Sequence, residues 1–395
     1  MRAWCVRLHR WFGLGGAIFL LITGLTGAVL PWYEELDALL NPELFDASAS
    51  GSPQSPLALA AQIETRHPDA RVNYVPLVAE SGRAMVFGVE GRRDPGTGVR
   101  SPLAFDSVFV DPVSGDELGT RRWGALELSR ANLIPLLYEL HHSLLIPGVW
   151  GTWLLGAVAL LWSIDCFVGF YLTLPPKRRS SDTPSWWQRW TPAWKLRWKT
   201  GGFRLNFDLH RAGGLWAWLL LFVIAFTGFS LNLYGELFAP ALNRISPLSV
   251  SPYETRTPGP HYADSEPGVD FAYVIEKAKA EGLARGWPDP VGEMFYVRAY
   301  GFYRAKYFSA EHPHGSHPLG EAVLFFDGND GSLLGEFVPM QGSAGDIFSL
   351  AQFPLHSGRI LGVFGRILVS VTGLVVVLLA VTGIVIWRRK AAANA

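Results

Sequence analysis

Five of the ten histidines in this 395-residue chain stand beside apolar runs long enough to cross a bilayer: His9, the adjacent His141 and His142, His210 and His356. Ionisable side chains at membrane depth are costly and mark function by default. Two imidazoles on neighbouring helices suit the axial positions of a haem iron, so these residues point to electron transfer through a membrane. His312, His314 and His317 form another cluster, interleaved with Pro313, Gly315 and Pro318. That spacing fits a transition-metal or substrate contact as well as a solvated loop.

The elements that must position these histidines are transmembrane helices. With 49% hydrophobic residues, 16 Trp and 17% charged residues, the chain is too apolar for a soluble enzyme of this length. Four segments meet the need for roughly 20 apolar residues per span: Trp11 to Trp32, Gly151 to Leu174, Leu215 to Leu233 and Ile360 to Trp387. Arg2, Arg7 and Arg10 before the first run also suit a signal peptide. The run is long, however, no A-x-A-like site follows it, and its pattern recurs later, so it reads as an anchor.

Basic residues cluster near Arg2 to Arg10, between Lys177 and Arg204, and at Arg388 to Lys390, and these regions are expected to be cytoplasmic. The two long connections then face outward. Zero net charge gives no reason to expect nucleic acid as a partner. Cys5 and Cys166 cannot form a disulfide framework for the outer segments. There is no Cys-x-x-Cys-His, so any haem is non-covalent, and with no nucleotide fingerprint the electrons must come from elsewhere.

The chain reads as a tandem duplication. His9-Arg10 lies over His210-Arg211, Thr26-Gly27 over Thr227-Gly228, and Tyr33-x-Glu35-Leu36 over Tyr234-x-Glu236-Leu237, all at an offset of 201. In the outer segments Val110-Asp111-x-x-x-Gly115 matches Phe326-Asp327-x-x-x-Gly331, a strand, turn and strand. Helical stretches precede these, Leu57 to Arg66 and Phe271 to Ala284, so each outer segment is expected to be a small α+β unit. Gly148-Val149-x-Gly151 recurs as Gly362-Val363-x-Gly365. Each half runs helix, outer domain, helix, which implies a pseudo-twofold axis along the membrane normal.

Such an axis sets His9 opposite His210 at one face and His141 or His142 opposite His356 at the other. Neighbours on a helix diverge by about 100°, so only one of His141 and His142 can face the axis. The ungapped repeat selects His142, and the shared Leu-His start selects His141. A single interfacial histidine reads equally as an anchor, whereas symmetric pairs read as ligands. The first helix rises about 35 Å from His9 to Trp32, so one macrocycle cannot serve both faces and two haems are expected. Arg10 and Arg211 suit propionate partners. Glycines after the histidines, among them Gly13, Gly213 and Gly358, suit close helix approach or room for a flat ring. Asp165 suits either a proton path or a hydrogen-bonded acid within the bundle.

His9-Arg10-Trp11-x-Gly13-Leu14, Leu140-His141-x-x-Leu144-Leu145, Leu355-His356-x-Gly358-Arg359 and the two Asp-x-x-x-Gly turns together resemble the PepSY-associated transmembrane family. Within it, the chain looks like the bacterial iron-regulated inner-membrane ferric-siderophore reductases. The resemblance implies an α-helical membrane protein with a four-helix transmembrane core, two periplasmic PepSY-like domains, and two b-type haems held by His9, His210, His356 and, by the Leu-His register, His141. The implied order is helix (1–33), periplasmic domain (34–138), helix (139–176), cytoplasmic basic linker (177–208), helix (209–234), periplasmic domain (235–353), helix (354–388) and cytoplasmic tail (389–395).

The expected function is transfer of electrons from a cytoplasmic or quinol donor across the inner membrane to a periplasmic ferric siderophore, releasing Fe(II). Tyr296, Tyr300, Tyr303 and Tyr307 are candidate acceptor contacts, though their alternation equally suits a strand face. The rival readings are a haem-free PepSY-domain binding or regulatory membrane protein and a siderophore transporter component.

Overall fold

The computed structural model describes residues 1–94, 96–176, 184–199, 201–258 and 266–393. Lys177 to Arg179, at the head of the basic linker, lie outside them. The chain divides into a helical unit, Met1–Tyr33 with Leu137–Ile245 and Ala351–Ala395, and a sheet unit, Glu34–Leu136 with Ser246–Leu350.

In the helical unit, α1 (Arg2–Val29) carries no charge beyond Arg10 and ends where Leu30-Pro31 removes a backbone donor. A short helix, α2 (Leu133–Ser143), belongs to this unit from Leu137 onward and carries His141 and His142. The next, α3 (Trp150–Thr173), stops before Pro175-Pro176, and its single charged residue is Asp165. Then come α4 (Gly202–Trp216) and α5 (Trp218–Asn232), the short α6 (Gln352–Ser357) carrying His356, and α7 (Gly362–Ala392). Gly358 at φ 79° and Gly362 at φ 58° turn the chain between α6 and α7, conformations that side chains resist.

Among the described residues, three helical stretches are long and apolar enough to cross a membrane, and α4 with α5 makes a fourth only as a bent pair. The bend is 69° and falls just after Gly213-Gly214. The sequence led us to expect an unbroken third span; paired glycines are a recognised cause of a kink. The helices turn large apolar side chains such as Ile18, Leu25, Leu161, Ile164, Val371 and Leu374 outward. That is the opposite of a soluble bundle and suits lipid. Inside, small residues bring backbones together: a Cβ on Gly24 of α1 would lie 3.0 Å from the Gly373 carbonyl of α7.

Among the described residues, the sheet unit holds eight antiparallel strands in the order β4-β3-β2-β1-β5-β6-β7-β8. They are β1 (Ala70–Pro76), β2 (Met85–Gly91), β3 (Ser107–Val110), β4 (Glu117–Arg121), β5 (Val291–Val297), β6 (Phe302–Tyr307), β7 (Ala322–Asp327) and β8 (Leu333–Phe337). Each half contributes a four-stranded meander, and β1 pairs with β5 through Tyr74↔Phe295 and Val75↔Met294. The two outer segments expected as separate domains therefore share one sheet. The pairing satisfies a row of backbone donors and acceptors that each meander would otherwise leave at an open edge.

The helices Pro56–Arg66 and Phe271–Ala284 pack on the sheet, burying Leu59 and Ile63 against Val72 and Phe87, and Val274 and Ala278 against Met294 and Leu324. The two Asp-Gly turns form as expected. Asp111 accepts from the Val113 and Ser114 amides at 2.8 and 3.1 Å and Asp327 from Asn329 at 2.7 Å, with Gly115 and Gly331 at φ 79° and 70°.

Candidate functional site

The helical unit brings four of the five histidines together as two pairs. The rings of His9 on α1 and His210 on α4 have centroids 6.0 Å apart, inclined at 63°. Those of His141 on α2 and His356 on α6 lie 6.2 Å apart at 54°. His142 is exposed and stacks instead on Tyr138 at 6.1 Å, so of the two adjacent histidines His141 is the one in the pair.

Hydrogen bonding fixes which nitrogen each ring presents. Thr26 gives its only hydroxyl proton to the Ile22 carbonyl at 2.7 Å, so towards His141 Nδ1, at 2.9 Å, it can only accept. Thr227 does the same, donating to the Val223 carbonyl and accepting from His356 Nδ1 at 2.9 Å. Thr382 donates to the Leu378 carbonyl and, with the Leu379 carbonyl, accepts from His210 Nδ1, both at 3.0 Å. His9 Nδ1 donates to the Asp165 carboxylate at 2.9 Å. All four Nδ1 atoms thus carry the proton, and each Nε2 keeps its lone pair. A carboxylate, carbonyl or hydroxyl behind Nδ1 is the usual way a metal-binding imidazole is oriented.

A glycine stands at the Cε1 edge of each ring. A Cβ on Gly27 would lie 2.9 Å from His141, on Gly228 3.5 Å from His356, on Gly169 3.5 Å from His9, and on Gly383 3.2 Å from His210. Each ring is therefore seated against one neighbouring helix, which supplies both the acceptor for Nδ1 and the glycine that leaves room for Cε1. The glycines following the histidines do other work: Gly13 has nothing within 4 Å and Gly213 only Leu379.

Two imidazoles bound to one metal through Nε2 at about 2.0 Å each place their ring centroids roughly 6 Å apart. Both pairs meet this spacing. Among the described residues, no group of three or more His, Cys, Asp or Glu could hold a metal ion. Two imidazoles per site would leave most coordination positions open, a donor set that suits bis-histidine haem better than bare zinc or copper. On α1, His9 and Thr26 mark the two levels, about 25 Å apart along the helix.

The other expected participants have partners of their own. Arg211 donates to Asp208 at 2.9 Å and to the Pro192 carbonyl at 2.8 Å, while Arg10 stacks over Trp11 at 5.4 Å. Tyr303 and Tyr307 are buried in the sheet core, donating to the Val269 and Ala278 carbonyls, and Tyr296 is buried beside them. They form the strand face rather than an acceptor contact. His314 pairs with Glu34 at 3.1 Å, and His317 accepts from the Leu319 amide at 3.0 Å, as in a hydrogen-bonded loop.

Sequence reasoning missed the orienting role of Thr26, Thr227 and Thr382 and the glycines beside the rings. The repeated Thr26-Gly27 and Thr227-Gly228 were a signal, although Thr23-Gly24 and Thr372-Gly373 bear the same dipeptide, and Gly24 and Gly373 serve only helix packing. No curated protein matches the chain. The family model of the PepSY-associated TM region matches residues 6–390, nearly the whole length. The chain, with its apolar spanning helices and antiparallel sheet unit, therefore belongs to the PepSY-associated transmembrane family.

Proposed function

We propose that this protein is a di-haem oxidoreductase of the bacterial inner membrane that passes electrons outward to a ferric siderophore. His9 and His210 hold one b-type haem through Nε2, and His141 and His356 hold the other. The observation that carries this reading is the fourfold pattern of Nδ1 donation, which leaves the Nε2 lone pair free on two ring pairs whose centroids lie 6.0 and 6.2 Å apart, the separation expected of two imidazoles on one metal. A bound haem supplies reversible one-electron transfer at iron.

The chain's own task is to fix ring orientation, exclude water with apolar helices, and set two sites at different depths. A cytoplasmic position for the His9–His210 end is supported by the cationic ends of α1 and α7, Arg2 to Arg10 and Arg388 to Lys390, through the positive-inside rule. Electrons enter there from a quinol or cytoplasmic reductant and leave at the His141–His356 end. The ferric siderophore follows from the family resemblance, and its reduction weakens the chelate and releases Fe(II) for uptake.

The test is a reduced-minus-oxidised spectrum of the purified protein, with haem per chain measured as the pyridine haemochrome. Two low-spin b-type haems per chain are expected; none, after expression with ample iron and haem precursor, overturns the reading. Adding a ferric hydroxamate to the reduced protein should then reoxidise it and yield Fe(II). Two haems without reoxidation would keep electron transfer and discard this acceptor.

A further inference from the structure

The four ring clamps are alike except for one. Superposing α3 on α7 in sequence pairs Gly151 with Gly365 and Gly169 with Gly383 at a constant offset of 214. The same register sets Val168 opposite Thr382 and Asp165 opposite Leu379. In three clamps the residue just before the glycine is the threonine whose hydroxyl takes the Nδ1 proton, at Thr26, Thr227 and Thr382. In the fourth that position is an apolar valine, and the acceptor is a carboxylate one turn earlier, buried in the bundle and 2.9 Å from His9 Nδ1. One neutral hydroxyl has thus been replaced by a group that carries a full negative charge when ionised.

A carboxylate behind Nδ1 draws the imidazole proton towards itself and makes Nε2 a stronger donor. A stronger axial donor, with a negative charge held close by in a low-dielectric bundle, favours the more positive, oxidised iron. The three threonine hydroxyls exert no comparable pull. We propose that Asp165 sets the His9–His210 site at a lower reduction potential than the His141–His356 site, so that electron flow from the first to the second is downhill. This rests on the di-haem reading above. His9 with His210, and His141 with His356, would hold the two redox groups between which a single electron passes, with no bond formed or broken. Asp165 acts through His9 and is a positioning and potential-setting residue rather than a catalytic one.

The test is an optical redox titration of the full-length protein in detergent. Wild type should titrate as two one-electron waves, with the lower wave alone surviving in His356→Ala. Asp165→Asn keeps a neutral acceptor behind His9 and should raise the lower wave by at least a tenfold change in equilibrium constant, about 59 mV for one electron, leaving the upper wave in place. The double variant Asp165→Leu with Val168→Thr, which rebuilds the Thr382 clamp in the first half, should shift the same wave the same way. An unmoved lower wave in either variant, with both haems held, overturns the proposal while leaving the di-haem reading intact. Absence of haem from the wild type overturns both.

Discussion

Gly27 and Gly228 occupy equivalent places in the two halves, yet the same substitution should have different consequences. A methyl group at Gly27 would lie 2.9 Å from His141 Cε1, whereas at Gly228 it would lie 3.5 Å from His356 Cε1. The second distance is ordinary contact; the first requires the His141 ring or α1 to withdraw by about half an ångström. Metal–ligand distances tolerate only about 0.2 Å, so the ring cannot absorb that shift and keep its bond. Overpacking of this kind costs roughly 1–3 kcal/mol. Both variants gain about 1 kcal/mol from replacing a helical glycine with alanine, so that contribution cancels between them. Gly27→Ala should therefore hold the haem of the His141–His356 site roughly 5- to 150-fold more weakly than Gly228→Ala does. Haem occupancy and the low-spin spectrum, measured in one detergent across a haem titration, give the comparison. Equal occupancy in the two variants, or a weaker site in Gly228→Ala, would refute the clamp argument.

Three further outcomes follow from the geometry. His141→Ala should lose one of two haems while His142→Ala keeps both, read as haem per chain; loss in His142→Ala would contradict the pairing. Asp37 and Arg121, 3% and 7% exposed and 2.7 Å apart, form a buried ion pair in the sheet unit. Arg121→Met leaves Asp37 without that partner and should destabilise the unit by roughly 3–5 kcal/mol, seen as faster proteolysis of the outer segments; unchanged proteolysis would count against it. Burial alone would raise the Asp111 carboxyl, but donation from the Ala49, Val113 and Ser114 amides outweighs it and holds the group below the usual carboxylate range. For Asp346, burial is likewise outweighed by donors from Ser249 and Ser343. A depressed folded pKa stabilises fully above the unfolded carboxyl value of about 3.9 and is lost as pH falls through the lower folded value. The sheet unit should hold its stability at neutral pH and lose it from about pH 5 downward, with a flatter profile in Asp111→Asn; a loss complete by pH 6 would exclude these carboxylates as its cause.

The duplication was legible because it repeats residue types at a fixed offset, and His9 with His210 followed from it directly. His141 against His142 was not, because an alignment of neighbours on one helix cannot say which faces the axis; contact between rings decides it. The bend between α4 and α5 was hidden for a similar reason, since hydropathy counts residues and ignores direction. The shared sheet depends on β1 meeting β5, a pairing between strands some two hundred residues apart that no local pattern encodes. Tyr303 and Tyr307 followed the strand alternation already visible in the sequence, and burial decides between that reading and a contact surface.

The pairing of halves also explains why the orienting groups are arranged as they are. His9 is held by Asp165 and His141 by Thr26, all from the first half; His210 is held by Thr382 and His356 by Thr227, all from the second. Each half therefore orients its own two histidines, and each site draws one ring from either half. Two identical halves associating as a dimer would build the same two sites, but with the same partner behind both rings of each. Fusion into one chain removes that constraint, because Asp165 and Val168 can diverge while Leu379 and Thr382 stay. The one clamp that differs is thus a change open only to the duplicated chain, and it lies at the end of the bundle where electrons would enter.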